Sequence, residues 1–178
     1  MNSYKIKVIY SALTAVLFLF IMPAMLIGQD IKALDEKYGF REAKFEMPVD
    51  SIKHIKRLST VGRYTLYVST NKNIKLGEYD IYSLAYFFYK GKLSQIEICT
   101  KGLANGDGVL GILQEAYGKG DDKTPNIARY FWAGERVIMM YNMNPSNGVA
   151  TFRLFSRKIW EMEQEEEKRA KADAAKTL

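Results

Sequence analysis

Two segments rich in aromatic and β-branched residues, "YSLAYFFY" at 82–89 and "KLSQIEICT" at 92–100, are separated only by Lys90 and Gly91. A two-residue gap with glycine supplying a positive φ is the commonest β-hairpin connection, so the middle of the chain must be antiparallel sheet. The same signals recur on both sides. "RYTLYVST" at 63–70 precedes this hairpin, with Asn71, Asn73 and Gly77 punctuating the gap. "ARYFWAGERVIMMY" at 128–141 reads as a second hairpin turning at Ala133 and Gly134, and "GVATFRLFS" at 148–156 follows as a further strand.

Two helices are expected beside these strands. In "MPVDSIKHIKRL", Pro48 suits the first helical position and Asp50 the positive end of the dipole, while Val49, Ile52, Ile55 and Leu58 recur at helical spacing. A second helix is expected over 109–117, with Asp107 as N-cap and Gly118 as a left-handed cap after Tyr117. Helix then hairpin thus occurs twice. "YFFYKGKL" and "YFWAGERV" are alike, and they read either as an internal repeat of about 45 residues or as convergent hairpin chemistry. The fold class is α+β: a mainly antiparallel sheet with two short helices on one face, followed by a solvated C-terminal helix. In the tail, at 163–178, Glu165 with Arg169 and Glu167 with Lys171 form favourable pairs four residues apart. Its apolar residues stop at Met162, so from there it is expected to pack on nothing within the chain.

At the N-terminus, Lys5 and Lys7 precede an uncharged run of 21 residues from Val8 to Gly28. Residues 1–28 read as a signal peptide, with Pro23 breaking its helix and Gly28 before the cut; an uncleaved signal anchor is the alternative. The remaining chain carries a net charge of +4, and 29–162 is long enough for a single domain. Such mild basicity is no nucleic-acid signature. The single cysteine, Cys99, forms no internal disulfide, so stability rests on packing, for which 12 Tyr, 9 Phe and 2 Trp are the obvious material.

Gly106, Gly108 and Gly111 have the spacing of a dinucleotide-binding loop, but Lys101 to Asn105 intervene after the strand and no acid follows at ribose distance. A turn at Asn105-Gly106, the cap at Asp107 and, at Gly111, the close approach of another element account for these glycines. "YGKG" lacks the first glycine and the Ser or Thr of a phosphate loop. Cys99 and His54, the only histidine, lie in different segments, which argues against a cysteine nucleophile, and the chain holds too few His and Cys for zinc. No cofactor or metal site follows from the residues. Glu97, Asp107, Asp121 and Asp122 are the carboxylates whose convergence would permit acid-base chemistry or calcium binding. Lys53, His54, Lys56, Arg57 and Arg63 either face an anionic surface or form the polar side of the first helix.

Placing the second hairpin's turn at Ala133-Gly134 pairs Trp132 with Glu135, putting Tyr130, Trp132, Val137, Met139 and Tyr141 on the core face. Arg129, Phe131, Arg136, Arg153 and Phe155 then share the other face. Arginine beside exposed aromatics is the composition of a partner-binding surface, and the competing account is aliphatic stems covering a half-exposed sheet.

At "KYGF", "FEMPVDSIKHI", "FFYKGKLSQIEI", "LQEAYGKG" and "YFWAGERVIMMY" the chain resembles small exported bacterial proteins of unknown function, from which no activity carries over. Its helix-and-strand order is also similar to tandem β-lactamase-inhibitor-type modules and small outer-membrane assembly modules, at the level of fold alone. The resulting expectation is a non-catalytic exported binding module, periplasmic or extracellular, for a protein or an anionic envelope component. No nucleic-acid partner is expected, and membrane contact only through an uncleaved N-terminus. The alternatives are a small carboxylate-dependent hydrolase and a membrane-anchored structural protein.

Overall fold

The computed structural model describes residues 30–122 and 129–176; residues 1–28, expected to be a signal peptide, lie outside them. Its centre is an eight-stranded, wholly antiparallel sheet, with α-helices on both sides of the central strands in the chain order. The chain begins with helix α1 (Ile31–Lys37), capped by the Asp30 carboxylate, and a ribbon of β1 (Gly39–Phe40) and β2 (Ala43–Lys44). Strands β3 (Ile55–Val61) and β4 (Tyr64–Ser69), the small ribbon β5 (Lys75–Leu76) and β6 (Tyr79–Asp80), then β7 (Ser83–Tyr89) and β8 (Lys92–Lys101) complete the first half. Helix α2 (Leu103–Tyr117) opens the second half, followed by β9 (Asp121–Asp122), β10 (Arg129–Ala133), β11 (Val137–Asn144), β12 (Val149–Ser156) and helix α3 (Arg157–Ala175).

The strand order β3-β4-β7-β8-β12-β11-β10-β9 contains a symmetry. Each half is a helix followed by four large-sheet strands that run from an edge to the centre, where β8 meets β12 antiparallel. A repeat is therefore present in the topology, with β7–β8 equivalent to β11–β12. The likeness of "YFFYKGKL" to "YFWAGERV" matches β7–β8 with β10–β11, which are not equivalent, and so reflects hairpin chemistry.

The core lies between the sheet and α1, α2 and the two ribbons. Trp132, Met139, Leu154, Ile96 and Tyr86 stand side by side across five strands and are all buried. The Lys90-Gly91 hairpin is as expected, with Tyr89 opposite Lys92 and positive φ at both turn residues.

Several local expectations are corrected. Residues 47–58 form no α-helix: one 3-10 turn at Val49–Ser51 is followed by a break at His54, with φ +56°, and by the edge strand β3. Leu58, which a helical stripe would bury, is 62% exposed. The β-branched residues of β3 instead pair with β4 through a tight turn at Gly62 and Arg63. The Lys53–Arg63 basic cluster therefore belongs to an edge hairpin and not to a helix face. The helix preceding the sheet is α1, which the apolar pattern did not reveal. α2 starts six residues earlier than expected, so Asp107 lies inside it and the N-cap position is Gly102. Gly118 does have positive φ, +79°, but with an extended ψ of 177° and not the αL conformation. Finally, α3 does pack beyond Met162: Tyr64 donates a hydrogen bond to Glu163, and Tyr89 and Lys90 donate to Glu166.

Candidate functional site

The left-handed residue Tyr38 (φ 46°, ψ 41°) ends α1 and turns the chain into the β1–β2 ribbon. Gly39 makes the ribbon possible, since a Cβ there would lie 2.1 Å from the Ala43 carbonyl oxygen. This sharp reversal projects Lys37, Arg41 and Lys44 around one opening. Below it lies a cavity of about 370 Å³ walled by Phe40, Leu76, Ile112, Leu113, Ala116 and Tyr117, with Met139, Phe152 and Leu154 of the sheet as its floor. Phe40 meets Phe152 edge to face, at 6.3 Å between ring centroids.

The three basic groups at the opening are held by neutral partners. Lys44 Nζ donates to the Lys37 carbonyl at 2.7 Å, and an Arg41 Nη donates to the Lys75 carbonyl. Lys37 Nζ lies 5.2 Å from the centroid of the Tyr117 ring. Among the described residues none of the three forms a salt bridge, although Lys32 on the same helix pairs with Glu36, and Lys75 next to the pocket pairs with Asp80. The lining contains no carboxylate, histidine, cysteine or hydroxyl other than that of Tyr117. Chemically, the site is an apolar chamber with a positive rim.

A second, polar hollow lies on the far side of Tyr38. Its hydroxyl donates to Glu46, which also accepts from Lys158, while the Arg136 guanidinium stacks 3.8 Å above the Tyr38 ring. These two hydrogen bonds lower the Glu46 pKa, and burial together with the carboxylate raises that of Tyr38.

Of the five residues expected to share the outer sheet face, four are there. Phe131, Met140, Arg153 and Glu97 form one row, with Arg153 paired to Glu97, and Phe155 and Arg129 stand in the flanking rows. Arg136 is not among them, because the turn is displaced by two residues from Ala133-Gly134. Ala133 opposes Ile138, Trp132 opposes Met139, and Glu135 and Arg136 form the turn itself. An even displacement preserves side-chain parity, so the division of faces is correct although the register is not. Trp132, Val137, Met139 and Tyr141 are all buried.

The carboxylates do not converge. Glu97 is on the outer face, Asp107 is on α2 across the sheet, and Asp121 and Asp122 lie on the edge strand β9. Among the described residues no group of three His, Cys, Asp or Glu side chains could hold a metal. Cys99, on β8, is three strands from the β3 edge that His54 precedes, about 14 Å at the usual strand spacing. Burial raises its thiol pKa, which disfavours a nucleophilic thiolate. The three glycines of the dinucleotide-like motif are all inside α2, none at a phosphate-facing turn. Lys37, Arg41 and Lys44 were not legible as a site; three bases interleaved with Phe40 and Phe45 around a glycine was the available signal.

No protein family, curated protein or solved structure matches the chain. Among the described residues no helix is long and apolar enough to cross a membrane.

Proposed function

We propose that the protein is a non-catalytic binding module, exported to the periplasm or cell exterior by its N-terminal segment, and that it holds an envelope component in the pocket beneath Lys37, Arg41 and Lys44. The observation that carries this reading is the pocket itself: apolar walls, a few convergent polar groups at the mouth, and a volume within the range of ligand sites. A hydrolase would instead need an acid-base pair facing the substrate, whereas Glu97 and Asp107 stand on opposite sides of the sheet, Asp121 and Asp122 lie on its edge strand, and none of the four lines the pocket.

Native mass spectrometry of the protein purified from the envelope tests the reading. A bound small molecule is expected, and Ile112→Trp, which fills the chamber, should abolish it without unfolding the protein. Turnover of ester, amide or glycoside substrates that survives purification to homogeneity would overturn it.

A further inference from the structure

The position of the unpaired cations narrows the class of ligand. An occupant must satisfy two unlike regions at once: a chamber whose walls are aliphatic and aromatic, and a mouth bearing three positive groups. The neighbouring Lys32 and Lys75 are paired with carboxylates, whereas among the described residues Lys37, Arg41 and Lys44 at the mouth form no salt bridge. Three like charges around one opening repel one another and concentrate a positive field there, which an arriving anion relieves. Arg41 adds directional capacity, since the Lys75 carbonyl takes only one of a guanidinium's five N–H donors, and the rest of the fork matches the geometry of carboxylate or phosphate oxygens. The size of the chamber is equally restrictive. At about 370 Å³ it stands near the lower end of ligand pockets, which suits one alkyl chain and not two.

Resting on the binding-module reading above, we infer that the pocket takes a single-chain anionic amphiphile, with its alkyl chain between Ile112, Leu113 and Phe152 and its terminal carboxylate or phosphate at Lys37, Arg41 and Lys44. The chain then contributes affinity through apolar burial, and the rim decides which headgroup is accepted. A neutral or cationic headgroup gains nothing from the rim, and the cationic one is repelled.

Calorimetric titration of the full chain with defined amphiphiles, kept below their micellar concentrations, tests this. Octanoate, decanoate and dodecanoate should bind progressively tighter, by about fourfold per methylene, the equivalent of roughly 0.8 kcal/mol for each buried CH₂. Dodecanol and dodecyltrimethylammonium should bind at least tenfold more weakly than dodecanoate. Dodecyl phosphate serves as the second anionic arm, and whichever of the two anions binds tighter assigns the headgroup. The triple substitution Lys37→Ser, Arg41→Ser, Lys44→Ser, at exposed or half-buried positions, should weaken dodecanoate at least tenfold and leave dodecanol unchanged; Ile112→Trp should remove both.

Equal affinity for the anionic, neutral and cationic heads would overturn the inference, as would absence of the chain-length trend. The neutral dye N-phenyl-1-naphthylamine separates this from the broader reading. If no amphiphile binds but the dye does, and Ile112→Trp displaces it, the ligand class is wrong and the binding module stands. If the dye also fails to bind, both are overturned.

Discussion

Gly108 and Gly111 lie on the same helix, three residues apart, and substitution by alanine should move stability in opposite directions. A Cβ at Gly108 would fall 2.0 Å from the Tyr79 ring, which packs across α2, and one at Gly106 would fall 2.7 Å from Met143 Sδ. A Cβ at Gly111 meets nothing within 4 Å and points to solvent. Glycine in an exposed helix interior costs about 1 kcal/mol relative to alanine, so Gly111→Ala should raise the unfolding free energy by that amount. Gly108→Ala should lower it by about 1–3 kcal/mol, the usual penalty of overpacking. Urea titration of both variants checks the pair, and equal effects would show that Tyr79 does not rest on the helix. The sequence reading assigns the close approach of another element to Gly111, whereas it is at Gly106 and Gly108. Which face of a helix meets a ring from a distant ribbon depends on tertiary placement, and spacing within the helix does not encode it. At Gly118 the local rule gave the positive φ but not the αL conformation, the ψ of 177° belonging to a residue whose carbonyl accepts the indole N–H of the fully buried Trp132 at 2.8 Å. Gly118→Ala should therefore cost about 1 kcal/mol or more in the same titration.

At the scale of elements, Asp35 adds a second tie between the two halves, besides the β8–β12 pairing. Its carboxylate, on α1, accepts the backbone N–H groups of Glu135, Arg136 and Val137, at 2.7, 2.8 and 2.8 Å, about a hundred residues away. The β10–β11 turn is thereby clasped from outside, and Gly134 leaves the room, since a Cβ there would lie 2.2 Å from Asp35 Oδ1. This clasp explains why the turn is centred on Glu135 and Arg136 when the local sequence favours Ala133-Gly134: three charge-assisted hydrogen bonds outweigh an intrinsic turn preference. A hairpin's parity was legible from alternation, but its register was set by a carboxylate in another element. Asp35→Ala should destabilise the protein by about 2 kcal/mol, less than three full bonds because water reaches the exposed amides of Glu135 and Arg136. Hydrogen exchange should accelerate at Arg136 and Val137 and stay unchanged in the β7–β8 hairpin. An unaltered exchange rate at Val137 would mean that the sheet alone holds the turn. The missed α1 and the mistaken helix at 47–58 have a related cause. α1 is short and has a single buried residue, Leu34, so it shows no apolar stripe, whereas the spacing of Val49, Ile52 and Ile55 arises from a 3-10 turn leading into a strand.

Over the whole molecule, the aromatic residues expected to supply the core do fill it, with Phe45, Tyr86, Phe88, Trp132, Tyr141 and Phe152 all buried, and the buried tyrosines should make the fold sensitive to alkali. Burial raises the pKa of Tyr38, Tyr64, Tyr86 and Tyr141, that of Tyr86 to about 12. The first two also donate to Glu46 and Glu163, whose negative charges oppose a second charge beside them. A group whose folded pKa is raised contributes stability that is complete below its unfolded pKa, near 10 for tyrosine, and is lost as pH rises through the folded value. Lys90 and Lys158 act in the same direction through Glu166 and Glu46. On the acid side the effects partly cancel: Glu46 and Glu166 have lowered pKa values, so their stabilisation is lost as pH falls below the carboxylate range, but burial raises that of Glu163, which opposes them. The urea midpoint should accordingly fall steeply between pH 10 and pH 12, and tyrosinate absorbance at 295 nm should rise together with the loss of far-ultraviolet ellipticity. Tyr86→Phe, which keeps the ring and removes the ionisable hydroxyl, should make the alkaline fall shallower and leave the unfolding free energy at pH 7 within about 0.5 kcal/mol of the parent. Full ionisation of the tyrosines at pH 11 with the sheet intact would show that these hydroxyls reach solvent without unfolding, and that the core is looser than its packing implies.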